Sequence, residues 1–130
     1  MSDFNKKAVN FQKAVQRLQE TIKEYEETKS DSVRDGGIQR FEFCMELAWK
    51  TTREYLLDQG FVDINSPKAV MREAYAYGIL NDEAVWINAL TDRNLTSHLY
   101  DEKVADDIFS RIQNDYVSIL KELSLYFAEK

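Results

Sequence analysis

With 130 residues, 44% of them hydrophobic and 31% charged, the chain can bury one core without disulfides or metal staples. This balance is that of a globular protein rather than a disordered or membrane one. A single cysteine, Cys44, excludes an internal disulfide and suits a reducing compartment. No apolar leader follows Met1 and no apolar run reaches the roughly 18 residues of a membrane span, so a cytoplasmic location and no membrane partner are expected. The 23 acidic against 17 basic residues give a formal charge of -6, which argues against indiscriminate binding to nucleic acid; any phosphate has to be met by a local, assembled site.

Phe4, Ala8, Phe11, Val15, Leu18, Ile22 and Tyr25 step by four and three, which predicts a first amphipathic helix with Lys6, Lys13, Glu20, Lys23 and Glu27 on its solvated face. Asp31 and Ser32 supply N-cap chemistry. Gly36-Gly37 reads as a turn or helix irregularity, after which Ile38, Phe41, Met45, Ala48, Thr52 and Tyr55 resume the spacing. Phe43, Cys44, Leu47 and Trp49 widen the apolar arc, so this second helix is expected to be central, covered on more than one side, and to end at a left-handed Gly60. Ser66-Pro67 opens a short third helix that Gly78 closes. Asn81 or Asp82 caps a fourth, whose stripe is Trp86, Leu90, Arg93 and Ser97. The last helix runs from about Asp101 to Ala128 on Val104, Ile108, Ile112, Tyr116, Ile119, Leu123 and Tyr126. The fold class is therefore all-α, an up-and-down antiparallel bundle of about five helices forming one domain over residues 1–130. No strand alternation, internal repeat or linker competes with it.

Chemistry concentrates in Arg93-Asn94-Leu95-Thr96-Ser97-His98-Leu99-Tyr100, which holds the only histidine of the chain. Histidine exchanges protons near neutral pH, and arginine presents a permanent fork of donors suited to phosphate. On the stripe of the fourth helix Arg93 points inward, where a guanidinium needs a partner or a ligand. On an unbroken helix His98 would point about 140° away from Arg93, with Asn94 one turn beneath it, which makes Asn94 the natural orienter of the imidazole. Arg93 and His98 of one chain converge only if the helix frays near Thr96-Ser97; otherwise two chains complete each other's site. Metal-free RNA cleavage needs a base for the 2′-hydroxyl, an acid for the leaving 5′-oxygen and a cation for the phosphate. One histidine cannot serve easily as both base and acid, so a homodimer, with two histidines and two arginines in one cleft, fits that chemistry.

The same residues also have plain structural readings. His98 reads equally as a helix cap, Arg93 as an ion-pair partner of Asp92, Asp101 or Glu102, and Tyr100 as a packing residue. No metal site is expected, since one histidine and one cysteine cannot build a typical zinc site and Asp106-Asp107 reads as a solvated face. Cys44 reads as structural. Trp49, Tyr55, Tyr75 and Tyr77 sit at helical spacing and read as core before they read as base-stacking platforms. From Asp92 to Lys103, Arg93 and Lys103 face Asp92, Asp101 and Glu102, a net of -1, so further positive charge has to come from elsewhere. Arg40, Lys50, Arg53 and Arg72 are the candidates.

Arg93 through Tyr100 resembles the R-x(4-6)-H motif of the HEPN superfamily in its R-x4-H-x-Y form, with the polar Asn94 directly after the arginine. The chain as a whole is similar to the HEPN proteins known as nucleotidyltransferase substrate-binding proteins. That likeness extends to the aromatic second helix, Arg40-Phe41-Glu42-Phe43 to Leu47-Ala48-Trp49-Lys50, to the Ser66-Pro67 opening, to the Trp86 helix and to the length. The resemblance implies a dimerising helical bundle and a toxin-antitoxin module whose HEPN toxin is a metal-independent endoribonuclease, with no cofactor. It implies as partner a cognate minimal nucleotidyltransferase, the antitoxin, which attaches AMP to the motif tyrosine. In this chain Arg93 would then grip the scissile phosphate, His98 handle protons, Asn94 set the imidazole and Tyr100 accept AMP. A bulky anion two residues from His98 should block the cleft and repel RNA. The resemblance equally admits a non-catalytic subunit that binds a nucleotide or substrate for the transferase.

Overall fold

A computed structural model describes residues 2–96 and 101–130. Two long helices, α1 (Ser2–Thr28) and α2 (Asp31–Asp58), pack side by side as the most extensive helix pair, and the C-terminal rod lies across both. The shorter α3 (Pro67–Tyr77) and α4 (Glu83–Leu95) cross over α2. The rod comprises α5 (Glu102–Arg111), a π-helical turn (Ile112–Tyr116) and α6 (Val117–Ala128) without a break. Counting that rod once, the described residues form five helical segments and no strand, the bundle that periodicity predicts. Phe11 and Leu18 of α1, Phe41 and Ala48 of α2, and Ile108, Ile112 and Leu120 of the rod are sealed from solvent in one core. Within it the Phe41 and Tyr116 rings stack at 5.5 Å. Among the described residues no helix is long and apolar enough to cross a membrane.

Local chemistry sets most helix ends. The Ser66 and Asp82 side chains accept the backbone N–H of Ala69 and Val85, both at 3.2 Å, and Pro67 starts α3 where its missing N–H costs nothing. Gly60 and Gly78 adopt the left-handed φ of +100° and +97° that ends α2 and α3. The N-cap of α2 precedes both expected residues, Asp31 and Ser32: Lys29 turns left-handed at φ +54° and Ser30 is the N-cap, accepting from Val33 N–H at 3.4 Å. Gly36-Gly37 is no turn, because α2 runs straight through it. Gly37 instead opens a notch, since a Cβ there would lie 2.5 Å from Cε1 of Phe109. Omitting that methyl lets α5 approach α2.

The C-terminal rod departs from the sequence reading in phase. The π turn inserts extra backbone into the helix, so the buried row after Tyr116 is Leu120, Leu123 and Phe127. Ile119 and Tyr126 are only half-buried, and Val104 at the other end is exposed. Phe43 also turns outward, 57% exposed, so the apolar arc of α2 is narrower than its composition implies. The π turn carries Tyr116 to Asp92 of α4, and the phenol donates to that buried carboxylate at 2.6 Å. Burial and the hydrogen bond to Asp92 together push the Tyr116 phenol above its ordinary value. Arg111 grips the same carboxylate from Nε at 2.7 Å and a terminal nitrogen at 3.1 Å. Tyr116→Phe keeps the ring stack and the Arg111 pair but removes one charge-assisted bond. A loss of about 1.5 kcal/mol in chemical denaturation is expected; an unchanged midpoint would mean that Arg111 alone satisfies Asp92.

Candidate functional site

The candidate site lies at the C-terminal end of α4. This helix buries Trp86, Ala89, Leu90 and Asp92, so the inward position in its last turn belongs to Asp92 and not to Arg93. The reason is satisfaction: Asp92 has Arg111 and Tyr116 waiting beneath it, whereas Arg93 sits at the edge with its side chain 32% exposed. Nor does Arg93 pair with Asp92, Asp101 or Glu102 as the structural reading suggested. Its guanidinium meets Glu42 of α2 at 3.5 Å, while Glu102 belongs to Arg34. Thr96 closes the helix, its backbone N–H reaching the carbonyls of Arg93 and Asp92 and its hydroxyl donating to the Arg93 carbonyl at 2.7 Å. A straight helix therefore sets spacing from Arg93 only as far as Leu95.

Beside Arg93 lies a cavity of about 260 Å³ between α2, α3 and α4. Arg93, Asn94 and Thr91 form its α4 wall, the start of α3 contributes Ser66, Pro67 and Lys68, and α2 contributes Glu46 and Trp49. Its floor is apolar, made by Met45 and Leu90. The Trp49 indole N–H donates to Glu46 Oε1 at 3.1 Å one turn away, which fixes both side chains. Two cations, Arg93 and Lys68, and one carboxylate, Glu46, thus line the cavity, with Glu42 held against Arg93 at its edge.

Of the residues that the sequence singles out, Arg93 and Asn94 come together on one wall of this cavity; His98 and Tyr100 lie outside the described residues. The four candidate sources of added charge do not line it. Arg53 is committed to the loop before α3, donating to the Ile64 carbonyl at 2.9 Å and to Asn65 at 3.1 Å. Arg40 lines a separate groove with Thr21 and Glu24 of α1. Lys68 supplies the charge instead, and sequence reasoning missed it. Its position just inside the Ser66-Pro67 helix opening was visible, but only the packing of α3 against α2 and α4 brings it to the same cavity as Arg93. Trp49, read as core, is half-buried and lines the cavity. Tyr55 is likewise half-buried, packed onto the core against Phe4 and Phe127 at 5.5 Å each, while Tyr75 and Tyr77, also read as core, are exposed. Cys44 is fully buried, and burial, offset in part by Arg40, pushes its thiol up to about 12. It is a small core side chain and no nucleophile.

An all-helical bundle of this topology, with an arginine-asparagine pair at the end of its fourth helix, is HEPN-like. Residues 6–128 match the family described as nucleotidyltransferase substrate binding protein like, and the chain belongs to that family. A curated relative, the probable ribonuclease HepT of Haemophilus influenzae, is 31% identical over 88 residues, covering 65% of this chain and 60% of that protein. The chain thus matches less than two thirds of the length of that relative. A crystal structure of a Thermus thermophilus protein superposes with a TM-score of 0.82 at 34% identity, covering 90% of this chain and 98% of the other. A Haemophilus influenzae structure, described as revealing the fold of a substrate binding domain of a nucleotidyltransferase, superposes with a TM-score of 0.83 at 24% identity over 93% and 98% of the two chains. The latter likeness is one of fold.

Proposed function

We propose that this chain is the toxin of a toxin-antitoxin module, a metal-independent endoribonuclease of the cytoplasm. It acts as a homodimer and is silenced when a cognate minimal nucleotidyltransferase attaches AMP to Tyr100. The observation that carries the reading is Arg93: a half-exposed guanidinium on the wall of a cleft that Lys68 also lines, 3.5 Å from Glu42, with the fork of donors that suits a phosphate. In the proposed reaction Arg93 holds the scissile phosphate. His98 of one subunit takes the proton of the ribose 2′-hydroxyl, which attacks phosphorus. The second subunit's imidazole gives a proton to the departing 5′-oxygen, and Asn94 orients the ring. AMP on Tyr100 places an anion beside that imidazole and competes with RNA for the cations.

A second reading is favoured by the cleft itself. Its size and its pairing of Trp49 with two cations also suit a non-catalytic subunit that presents one nucleotide to the transferase. Incubation with RNA in the presence of a chelator separates the two. The ribonuclease reading expects cleavage by the wild type, none by His98→Ala, and growth arrest on expression without the partner. Equal growth inhibition by wild type, Arg93→Ala and His98→Ala rejects it. For the silencing step, chain, partner and ATP are mixed and the product weighed. A gain of one AMP that disappears in Tyr100→Phe is expected; an unshifted mass, or a gain that survives Tyr100→Phe, removes Tyr100 from that role.

A further inference from the structure

The lining of the cleft beside Arg93 combines two chemistries: the cations Arg93 and Lys68, and the apolar Met45, Leu90 and Trp49 ring, with Glu46 among them. A ligand that matches both carries an anion and a flat apolar ring. The volume of about 260 Å³ lies just under the range, roughly 300–1,000 Å³, of sites for drug-sized ligands, which suits one nucleotide unit. Single-stranded RNA is read in this way, one unstacked base against an aromatic side chain with its edge hydrogen-bonded.

Glu46 decides which base. It is locked by the Trp49 indole, whose N–H lies 3.1 Å from one carboxylate oxygen and 3.4 Å from the other. An ionised carboxylate is acceptor-only, with about four lone-pair sites, so capacity remains after that bond. Guanine alone among the RNA bases presents two adjacent N–H donors on its Watson–Crick edge, the ring N1–H and the exocyclic amine. Adenine and cytosine place a ring-nitrogen lone pair beside their amine, and uracil flanks its one N–H with two carbonyls. Each of these sets a lone pair against the carboxylate.

We propose that the Glu46–Trp49 side of this cleft is a guanine subsite, which seats the base of the nucleotide whose phosphate Arg93 holds. The subsite rests on the reading of Arg93 as a phosphate ligand and adds base selection to it. Calorimetric titration of the intact protein with guanosine, adenosine, cytidine and uridine 3′- and 5′-monophosphates, and with inorganic phosphate, tests it. A guanosine monophosphate is expected to bind about tenfold tighter than the others, the discrimination of one bidentate pair. Glu46→Gln, which keeps an acceptor for the indole but puts a donor against guanine, is expected to erase that preference. Trp49→Leu is expected to weaken all four nucleotides and spare phosphate; if that variant unfolds, Glu46→Gln still decides. Equal binding of the four nucleotides, no measurable binding, or a guanine preference that survives Glu46→Gln overturns the subsite. RNA cleavage on the same samples separates the two readings: selective guanine binding without cleavage rejects the ribonuclease and keeps the subsite, and cleavage with equal nucleotide binding does the reverse.

Discussion

Arg93→Ala is expected to lower RNA cleavage by about two to three orders of magnitude, the usual loss on removing one charge-stabilising donor group from a transition state. The midpoint of thermal unfolding should stay close to that of the wild type. The two halves of this expectation have separate origins. Structurally Arg93 is cheap to lose: its side chain is 32% exposed and its ion pair to the similarly exposed Glu42 spans 3.5 Å. A partly solvated pair of that kind contributes about 0–1 kcal/mol. The helix that carries it is held by Trp86, Ala89 and Leu90, and by the bonds of Asp92 to Arg111 and Tyr116. In the proposed reaction Arg93 would be expensive to lose, because negative charge would gather on the phosphate oxygens as the 2′-oxygen attacks, and the fork would meet two of them at once. Arg93→Lys keeps the charge and loses the fork, so it should fall between. Single-turnover cleavage of a short RNA by wild type and both variants checks the prediction. Alanine and wild-type rates within a few-fold of each other would remove Arg93 from the chemistry.

The fold was legible wherever the chemistry is local. Ser66-Pro67, Asp82, Gly60 and Gly78 set helix ends by what they do to their own backbone, and a reading of neighbours along the chain suffices to find them. It fails where the cause sits far away in sequence. Gly37 is a notch because Phe109 lies against it, and no pattern around Gly36-Gly37 distinguishes a notch from a turn. The π turn at Ile112–Tyr116 shifts the buried row by one residue, while the sequence keeps offering a good row at Ile119 and Tyr126. Tyr116, at the end of that turn, donates to Asp92 of another helix, a partner that no pattern around the turn reveals.

The candidate site divides in the same way. Arg93 and Asn94 are picked out by residue type and by their distance from the single histidine, and the structure sets both on one cavity wall. Lys68, Glu46 and Trp49 come from two other helices, and each alone resembles an ordinary surface or core residue. The same spacing rule that marks Arg93 as inward overlooks Asp92, because a carboxylate on an apolar stripe looks improbable until its partners are known. Asp92 immediately precedes Arg93 and is tied to the C-terminal rod, so the helix end that presents Arg93 is anchored from within.

A second anchor stands on the other side of the motif, and its loss has the largest expected effect on stability. Arg34→Met should cost about 3 kcal/mol, the low end for removing one partner of a buried ion pair. Arg34 is 2% exposed, and its guanidinium reaches Asp35 at 2.9 Å, Glu102 at 2.8 Å and Asp106 at 2.8 Å, with Asp31 at 3.7 Å. Burial pulls the guanidinium down, but hydrogen bonds to Asp106, Asp35 and Glu102 outweigh it and hold it above arginine's ordinary value. It therefore stays charged through the neutral range, and on the alkaline side its contribution is lost only beyond arginine's own range. One cation thus joins the first turns of α2 to the first turns of α5, directly after the segment that ends at Tyr100. Methionine fills much of the volume but leaves four carboxylates facing one another. They retain water, 59–75% exposed, which keeps the loss from reaching the top of the range. Two comparisons identify the mechanism. Asp106→Asn should cost far less than Arg34→Met, because removing one of four acids also relieves repulsion among the rest. The loss in Arg34→Met should shrink between low and molar salt, where the screening length falls to about 3 Å. Urea denaturation of the three proteins at both salt concentrations measures this. A loss that ignores salt, or an Asp106→Asn as damaging as Arg34→Met, would assign Arg34 to packing rather than to charge.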